Sequence, residues 1–191
     1  MAGEKYIIAS VGNAIQIDVK IILGPVGYVF LGKCGDADSL LRAVRVLQPD
    51  FVIIDNNSQF KKIEMALHTI DEEMLCACII IGENKDFFTN VESQISNVIS
   101  ICDNLQNEEI FINTISMAII NFKRIAELKR KLNEVTDNLE TRKLVERAKY
   151  LLMEHEGINE NAAYDKMRKK SMDNRLSMKS LAKIIISTYE K

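Results

Sequence analysis

The chain has few helix breakers and few reactive side chains. Its 191 residues include two prolines and eight glycines, and neither type occurs between Asn84 and Glu156. So long a stretch without a breaker permits one continuous helix. Only two histidines are present, and they form no Ser/His/Asp, Cys/His or metal-ligating constellation. There is also no glycine-rich loop of the kind that cradles phosphates. The familiar hydrolytic, thiol and nucleotide chemistries therefore lack their side chains, and neither an enzyme, a metal nor a cofactor is expected. The four cysteines, Cys34, Cys76, Cys78 and Cys102, sit in apolar, strand-like surroundings. Cys76-x-Cys78 lacks the second ligand pair that a zinc site needs, so buried, reduced core thiols are expected. Apolar runs such as Cys76 to Ile81 are far too short to span a bilayer. Met1-Ala2-Gly3-Glu4-Lys5 leads straight into a strand-like stretch without the pattern of a signal peptide. The expectation is a cytoplasmic protein with no membrane partner.

Charge is unevenly distributed. The net charge is −2, yet residues 142–191 hold 12 Lys/Arg against 7 Asp/Glu, while residues 1–141 hold 13 against 20. An acidic body with a basic end suggests a polyanion-binding module joined to a part that does not bind polyanions.

The first hundred residues alternate strands and helices. Strand-like runs are Tyr6 to Val11, Tyr28 to Leu31, Phe51 to Asp55, Cys76 to Ile81 and Asn97 to Cys102. Between them, helices are expected over Ala14 to Leu23, over a segment capped by Asp36 or Asp38, around Lys61 to Thr69, and near Asp86 to Gln94. Continuously apolar strands separated by helices imply a parallel sheet covered on both faces. The fold class is therefore α/β, with a flavodoxin-like five-stranded parallel sheet whose functional sites lie at the carboxyl ends of the strands.

A long helix follows from Glu108. Phe111, Ile115, Ala118, Ile119 and Phe122 give it a face that can pack on the sheet. Beyond them Ile125, Leu128, Leu132, Val135 and Leu139 recur at spacings of three and four, which is a heptad seam. Two heptads are not stable alone, but as the extension of a folded domain they can pair two copies. A homodimer through this seam is the expectation, with an intramolecular packing stripe as the plain alternative. The last fifty residues then divide into three short helical patterns. One ends at Gly157, the second runs from Asn159 to Lys170, and Ser177 caps the third, which bears Leu181, Ala182 and Ile185. Helices this short need one another to bury their stripes, which implies a small all-α three-helix bundle. The expected domains are 1–122, a coiled-coil linker at 123–141, and 142–191.

Two resemblances sharpen this reading. Asp55, ending the third strand of a five-unit α/β domain, resembles the phospho-acceptor of response-regulator receivers over roughly residues 4–125. The rest of that chemistry is missing. The stretch where the family has an acidic pair reads Ser10-Val11-Gly12-Asn13, and Gly82 or Glu83 stands where a Ser or Thr ends the fourth strand. Cys102-Asp103-Asn104 replaces the lysine of the fifth strand, and Asn56-Asn57-Ser58-Gln59 lacks the usual proline. A lone carboxylate does not make the octahedral site that Mg²⁺ demands. A pseudo-receiver is expected, with Asp55 unphosphorylated and capping the following turn.

The C-terminal segment resembles the ANTAR domain of transcription antitermination regulators. The matching residues are Ala148-Lys149, Leu152-Met153, Gly157, Glu160, Ala163, Tyr164, Arg168, Met172 and Leu181-Ala182, and the departure is Ser171, where the family usually has alanine. The resemblance implies binding, as a dimer, to paired hairpin loops of nascent leader RNA, which keeps a terminator from forming. Lys149, Arg168, Lys169, Lys170 and Arg175 are the candidate RNA contacts. Tyr164 either stacks on a base or packs half-buried. Ala148, Leu152, Met153, Ala163, Met167 and Leu181 are read as core. Two rivals stay open: a DNA-binding response regulator, since a small basic bundle can be a helix-turn-helix, and an interaction module in which a sensor protein or metabolite bound to the α/β domain controls the dimer.

Overall fold

The structure is a computed structural model, and it describes residues 3–56, 62–82, 99–102 and 105–190. Its contacts divide into two compact units, Met1–Glu127 and Leu128–Lys191.

In the first unit, strands β1 (Lys5–Ala9), β2 (Val29–Cys34), β3 (Phe51–Asp55), β4 (Ala77–Ile81) and β5 (Ile99–Cys102) pair side by side in the order β2-β1-β3-β4-β5. Every pairing is parallel, and the register of β1 on β2 shifts between Tyr6 and Ile7. Helices α1 (Ala14–Leu23), α2 (Ala37–Leu47) and α3 (Ile63–Glu72) connect them. The helix expected near Asp86 to Gln94 lies outside the described residues.

Because strand side chains alternate between faces, β1, β3 and β4 each feed two cores. Ile7, Ala9, Val52, Ile54, Cys78 and Ile80 pack with Leu40 and Val44 of α2 and Ala66, Leu67 and Ile70 of α3. Tyr6, Ile8, Phe51, Ile53, Ala77 and Ile79 face the other way. There they meet Val19, Ile22 and Leu23 of α1 together with Phe111, Ile115, Ala118 and Ile119 of the long helix. β3 and β4 are buried along their whole length, as strands covered on both faces are. Cys34, Cys76 and Cys78 are buried free thiols. The Cys78 thiol is raised well above its ordinary pKa by its hydrogen bond with Cys76 and by burial, which keeps it protonated and inert. The side chain of Cys102 lies outside the described residues. Between the two possible caps of α2 the structure selects Asp36, whose carboxylate accepts from the Ser39 amide at 2.8 Å.

The long helix α4 spans 49 residues, Glu108–Glu156. No helix among the described residues is long and apolar enough to cross a membrane. The second unit holds its C-terminal part with α5 (Glu160–Asp173) and α6 (Met178–Tyr189). Ala148 and Leu152 of α4, Ala163 and Met167 of α5, and Leu181, Ala182 and Ile185 of α6 bury one small core.

The turns of this unit follow from the sequence. Gly157 takes φ +67° and donates its amide to the Met153 carbonyl, stopping α4. The Asn159 side chain accepts from the Ala162 amide at 2.9 Å, and the Ser177 hydroxyl accepts from the Ser180 amide at 3.0 Å, starting α5 and α6. The hydroxyl of Ser171 donates to the Leu176 carbonyl at 2.6 Å and closes the turn between those helices. The residue that departs from the ANTAR pattern therefore has a structural use.

A Cβ added at Gly157 meets no atom within 4 Å, so Gly157→Ala isolates the cost of the left-handed backbone, about 1 kcal/mol. Far-UV circular dichroism should show the C-terminal helices melting about 4–8 °C earlier. Gly12→Ala, equally open but without a positive φ, should leave the melt unchanged.

Candidate functional site

Two places in the fold carry the sequence-derived candidates: the carboxyl ends of the strands in the first unit, and the basic surface of the second.

Asp55 ends β3 and is buried. Ser10, at the end of β1 where receivers place their acids, donates its hydroxyl to Asp55 Oδ2 at 2.8 Å. The β1–α1 loop is occupied from the neighbouring strand as well. The Lys33 ammonium, on β2, donates to the Gly12 carbonyl at 2.8 Å, to Asn13 Oδ1 at 2.7 Å and to the Val11 carbonyl at 3.3 Å. A hydroxyl and a protein cation thus stand beside the loop that carries carboxylates in a working receiver. Among the described residues no group of three or more His, Cys, Asp or Glu side chains could hold a metal ion. Ser58, Gln59, Glu83, Asp103 and Asn104 lie outside the described residues. Lys33 was not singled out from the sequence, where the expected strand stopped at Leu31; the structure carries β2 on to Cys34.

In the second unit the candidate basic residues separate into two kinds. Arg168, Lys169 and Lys170 are exposed on the last half of α5, and Arg175 is exposed in the α5–α6 turn with φ +53°. Tyr164, 45% exposed, lies one turn before Arg168 on the same helix and so shares its face. Met172 follows one turn later and is also exposed. Tyrosine, guanidinium and thioether therefore form one solvent-facing stripe along α5.

Lys149 departs from the expectation of an exposed RNA contact. Its side chain is only 9% exposed, and its ammonium bridges Glu146 at 2.8 Å and Glu160 at 2.7 Å. Its pKa is raised by the hydrogen bonds it donates to Glu146 and Glu160, and that of Glu160 is lowered by Lys149. The physical reason is position: Lys149 follows Ala148 at the edge of the small core, and Gly157 turns the chain so that Glu160 opens α5 within its reach. Lys149 ties α4 to α5. Lys179 does the same between α6 and α4, meeting Asp137 at 2.6 Å and Glu140 at 2.7 Å. The end of the chain is fastened too: His155 stacks on Tyr189 with centroids 4.6 Å apart, Arg147 pairs with Glu190, and Lys166 pairs with Glu156.

On α4 the heptad residues are open to solvent, with exposure from 53% at Leu139 to 66% at Leu132 and only Ile125 half-buried. The α6 contacts reach α4 through Asp137, Glu140 and Leu144, which lie on the side of the helix away from Leu132, Val135 and Leu139. The bundle therefore leaves the seam uncovered.

The comparisons with known proteins agree with this division. Residues 133–186 match the ANTAR domain family. The first unit has a receiver-like fold. It resembles the signal receiver domain of a modulated diguanylate cyclase from Desulfovibrio desulfuricans, with TM-score 0.54 and 17% identity over 63% of this chain and 97% of that one. It also resembles the receiver domain of NarL from Mycobacterium tuberculosis, with TM-score 0.53 and 10% identity over 62% of this chain and 98% of that one. A receiver-like α/β domain followed by an ANTAR domain is the class the fold defines. Nearly the whole chain is similar to the transcriptional regulatory protein PdtaR of Mycobacterium tuberculosis, at 26% identity over 97% of this chain and 90% of that protein.

Incubation with acetyl phosphate and Mg²⁺ should leave the intact mass of the chain unchanged, because the β1–α1 stretch Ser10-Val11-Gly12-Asn13 has no acid and accepts hydrogen bonds from Lys33 of β2. A stable phosphoryl adduct that disappears in Asp55→Ala would contradict this. Lys149 has its own pH signature. Its raised pKa means its contribution is present below about pH 10.4 and is lost as pH rises through the higher folded value. The lowered pKa of Glu160 means its contribution is present above about pH 4.3 and is lost as pH falls through the folded value. Lys149→Ala should lower the melting temperature of the C-terminal helices throughout that window. In acid well below about pH 4 its melt should converge with that of the unaltered protein.

Proposed function

We propose that this protein is a transcription antitermination regulator that binds paired hairpin loops of a nascent leader RNA as a dimer, with its degenerate receiver-like domain as the input module. The observation that carries this reading is the exposed stripe of α5 inside the ANTAR match, where Tyr164, Arg168 and Met172 repeat at one-turn intervals with Lys169 and Lys170 alongside. Unstacked loop bases are recognised by stacking on aromatic rings and guanidinium planes and by hydrogen bonds to their edges, while lysines neutralise phosphates. A duplex offers no such free base faces.

The dimer follows from the second half of the ligand. One small bundle presents enough surface for one loop, and two loops on one transcript need two bundles held together. Joining two weak sites raises overall affinity through effective concentration without any new contact. The exposed seam Ile125, Leu128, Leu132, Val135 and Leu139 is the face we assign to pairing two copies. With Ser10 on Asp55 and Lys33 on the neighbouring β1–α1 loop, the receiver-like domain takes its signal from a partner protein or a small molecule rather than from phosphorylation. The name of the relative, a transcriptional regulatory protein, is in keeping with this role. A cytoplasmic location follows from a nascent transcript as target.

Filter binding with a two-hairpin leader RNA and with duplex DNA tests the reading. Arg168→Ala and Tyr164→Ala should each weaken RNA binding about tenfold or more, as loss of a stacking or charged contact of roughly 1–3 kcal/mol implies. Lys149→Met should fold less stably yet keep RNA affinity at temperatures where it is folded. Tight duplex binding with none to the RNA would favour the helix-turn-helix alternative.

A further inference from the structure

The heptad register of α4 places Ile125, Leu132 and Leu139 at a and Leu128 and Val135 at d. The positions flanking this seam are then Arg124, Lys131 and Asn138 at g and Lys129 and Thr136 at e. Not one flanking position is acidic. The acids of this stretch, Glu127, Glu134, Asp137 and Glu140, all fall at b, c or f, away from the seam. There Glu134 pairs with Arg130 at 3.7 Å, and Asp137 and Glu140 pair with Lys179.

Flanking positions set partner choice and orientation in coiled coils through pairs of opposite charge. Here a parallel, in-register pair of copies sets Arg124 of each against the partner's Lys129, twice per dimer. The apolar seam favours pairing and its edges oppose it. Two rows of cations running beside an apolar contact are also what a polyanion neutralises, and neutralising them removes the opposition.

We propose that Arg124 and Lys129 on α4 form a second RNA site that takes the phosphodiester backbone and is completed only when two copies pair. The site lies before the ANTAR match at 133–186, and it rests on the reading of the protein as a dimeric RNA-binding regulator. Bound phosphate screens the like charges that face each other across the seam, so RNA and the second copy bind cooperatively.

The test uses the full chain in two arms. Without RNA, sedimentation equilibrium over a range of ionic strength should show self-association strengthening as salt rises, since salt screens repulsion. Arg124→Glu turns each repelling pair into an attracting one. It should tighten RNA-free association about tenfold at low salt and reverse the trend, so that salt now weakens the dimer. With a two-hairpin leader RNA, Arg124→Gln combined with Lys129→Gln removes four cations per dimer. The slope of log affinity against log salt should fall in magnitude by about 2 to 3. Wild-type association that weakens or stays level with salt overturns the inference. So does an RNA salt slope unchanged in the double variant while Arg168→Ala still weakens binding, a result that leaves the proposed function standing. Failure of the unaltered protein to bind the RNA at all removes that function and this site together. Circular dichroism of each variant separates these outcomes from misfolding, since the altered positions are on a single helix with no place in either core.

Discussion

One unbroken helix is the constraint on which the rest of the molecule depends. Between Glu108 and Glu156 the backbone of α4 satisfies its own hydrogen bonds, and the absence of glycine and proline leaves no point at which it must bend or stop. Its side chains meet three different environments in turn. Phe111, Ile115, Ala118 and Ile119 complete one face of the sheet core, Leu128 to Leu139 stand in solvent, and Ala148 and Leu152 complete the core of the small bundle. Neither core closes without its share of this helix. A glycine or proline introduced near its middle would therefore act on the exposed stretch from Leu128 to Leu139 first, and only through helix propagation on the two ends.

The small bundle shows how little apolar surface suffices when polar contacts organise the rest. Seven buried side chains form its core, and around them Lys149, Lys179, Lys166 and Arg147 each pair with acids that come from a different stretch of the chain. Exposed pairs of this kind contribute little singly, but Lys149 is sheltered and makes two of them. A basic segment thus spends part of its charge holding itself together. Arg168, Lys169 and Lys170 on α5 and Arg175 in the turn after it remain exposed.

Much of this was legible in the sequence, for physical reasons that differ by region. The strands were readable because both faces of a parallel sheet are dry, so Phe51 to Asp55 and Cys76 to Ile81 are apolar without alternation. The bundle was readable because Gly157, Asn159 and Ser177 are residues whose backbone or side chain stops or starts a helix locally. The core assignment of Ala148, Leu152, Ala163, Met167 and Leu181 also follows from spacing alone. Lys149 was misread because charge says nothing about which way a side chain turns. Its burial depends on Glu160 arriving from beyond the Gly157 turn, although Glu146, three residues earlier on the same helix, was a visible hint. Lys33 escaped notice for the same reason: two of its three partners, the carbonyls of Val11 and Gly12, are backbone atoms of another loop and leave no mark in residue identity. The choice of Asp36 over Asp38 as a cap likewise turned on Ser39, whose amide and hydroxyl both meet Asp36.

The receiver-like domain and the ANTAR domain pose different chemical questions. The first has a receiver-like fold, with the Ser10 hydroxyl on the Asp55 carboxylate and the Lys33 ammonium on the β1–α1 loop. The second matches the ANTAR family and exposes Tyr164, Arg168 and Met172 along one face of α5. A single-round transcription assay joins them most directly, using a template whose leader forms two hairpins, the second overlapping a terminator. The account predicts that adding the full chain raises read-through, and that the rise is lost when either loop is replaced or when Arg168→Ala is used. Termination that is unaffected by the protein at concentrations where the leader RNA is bound would contradict it.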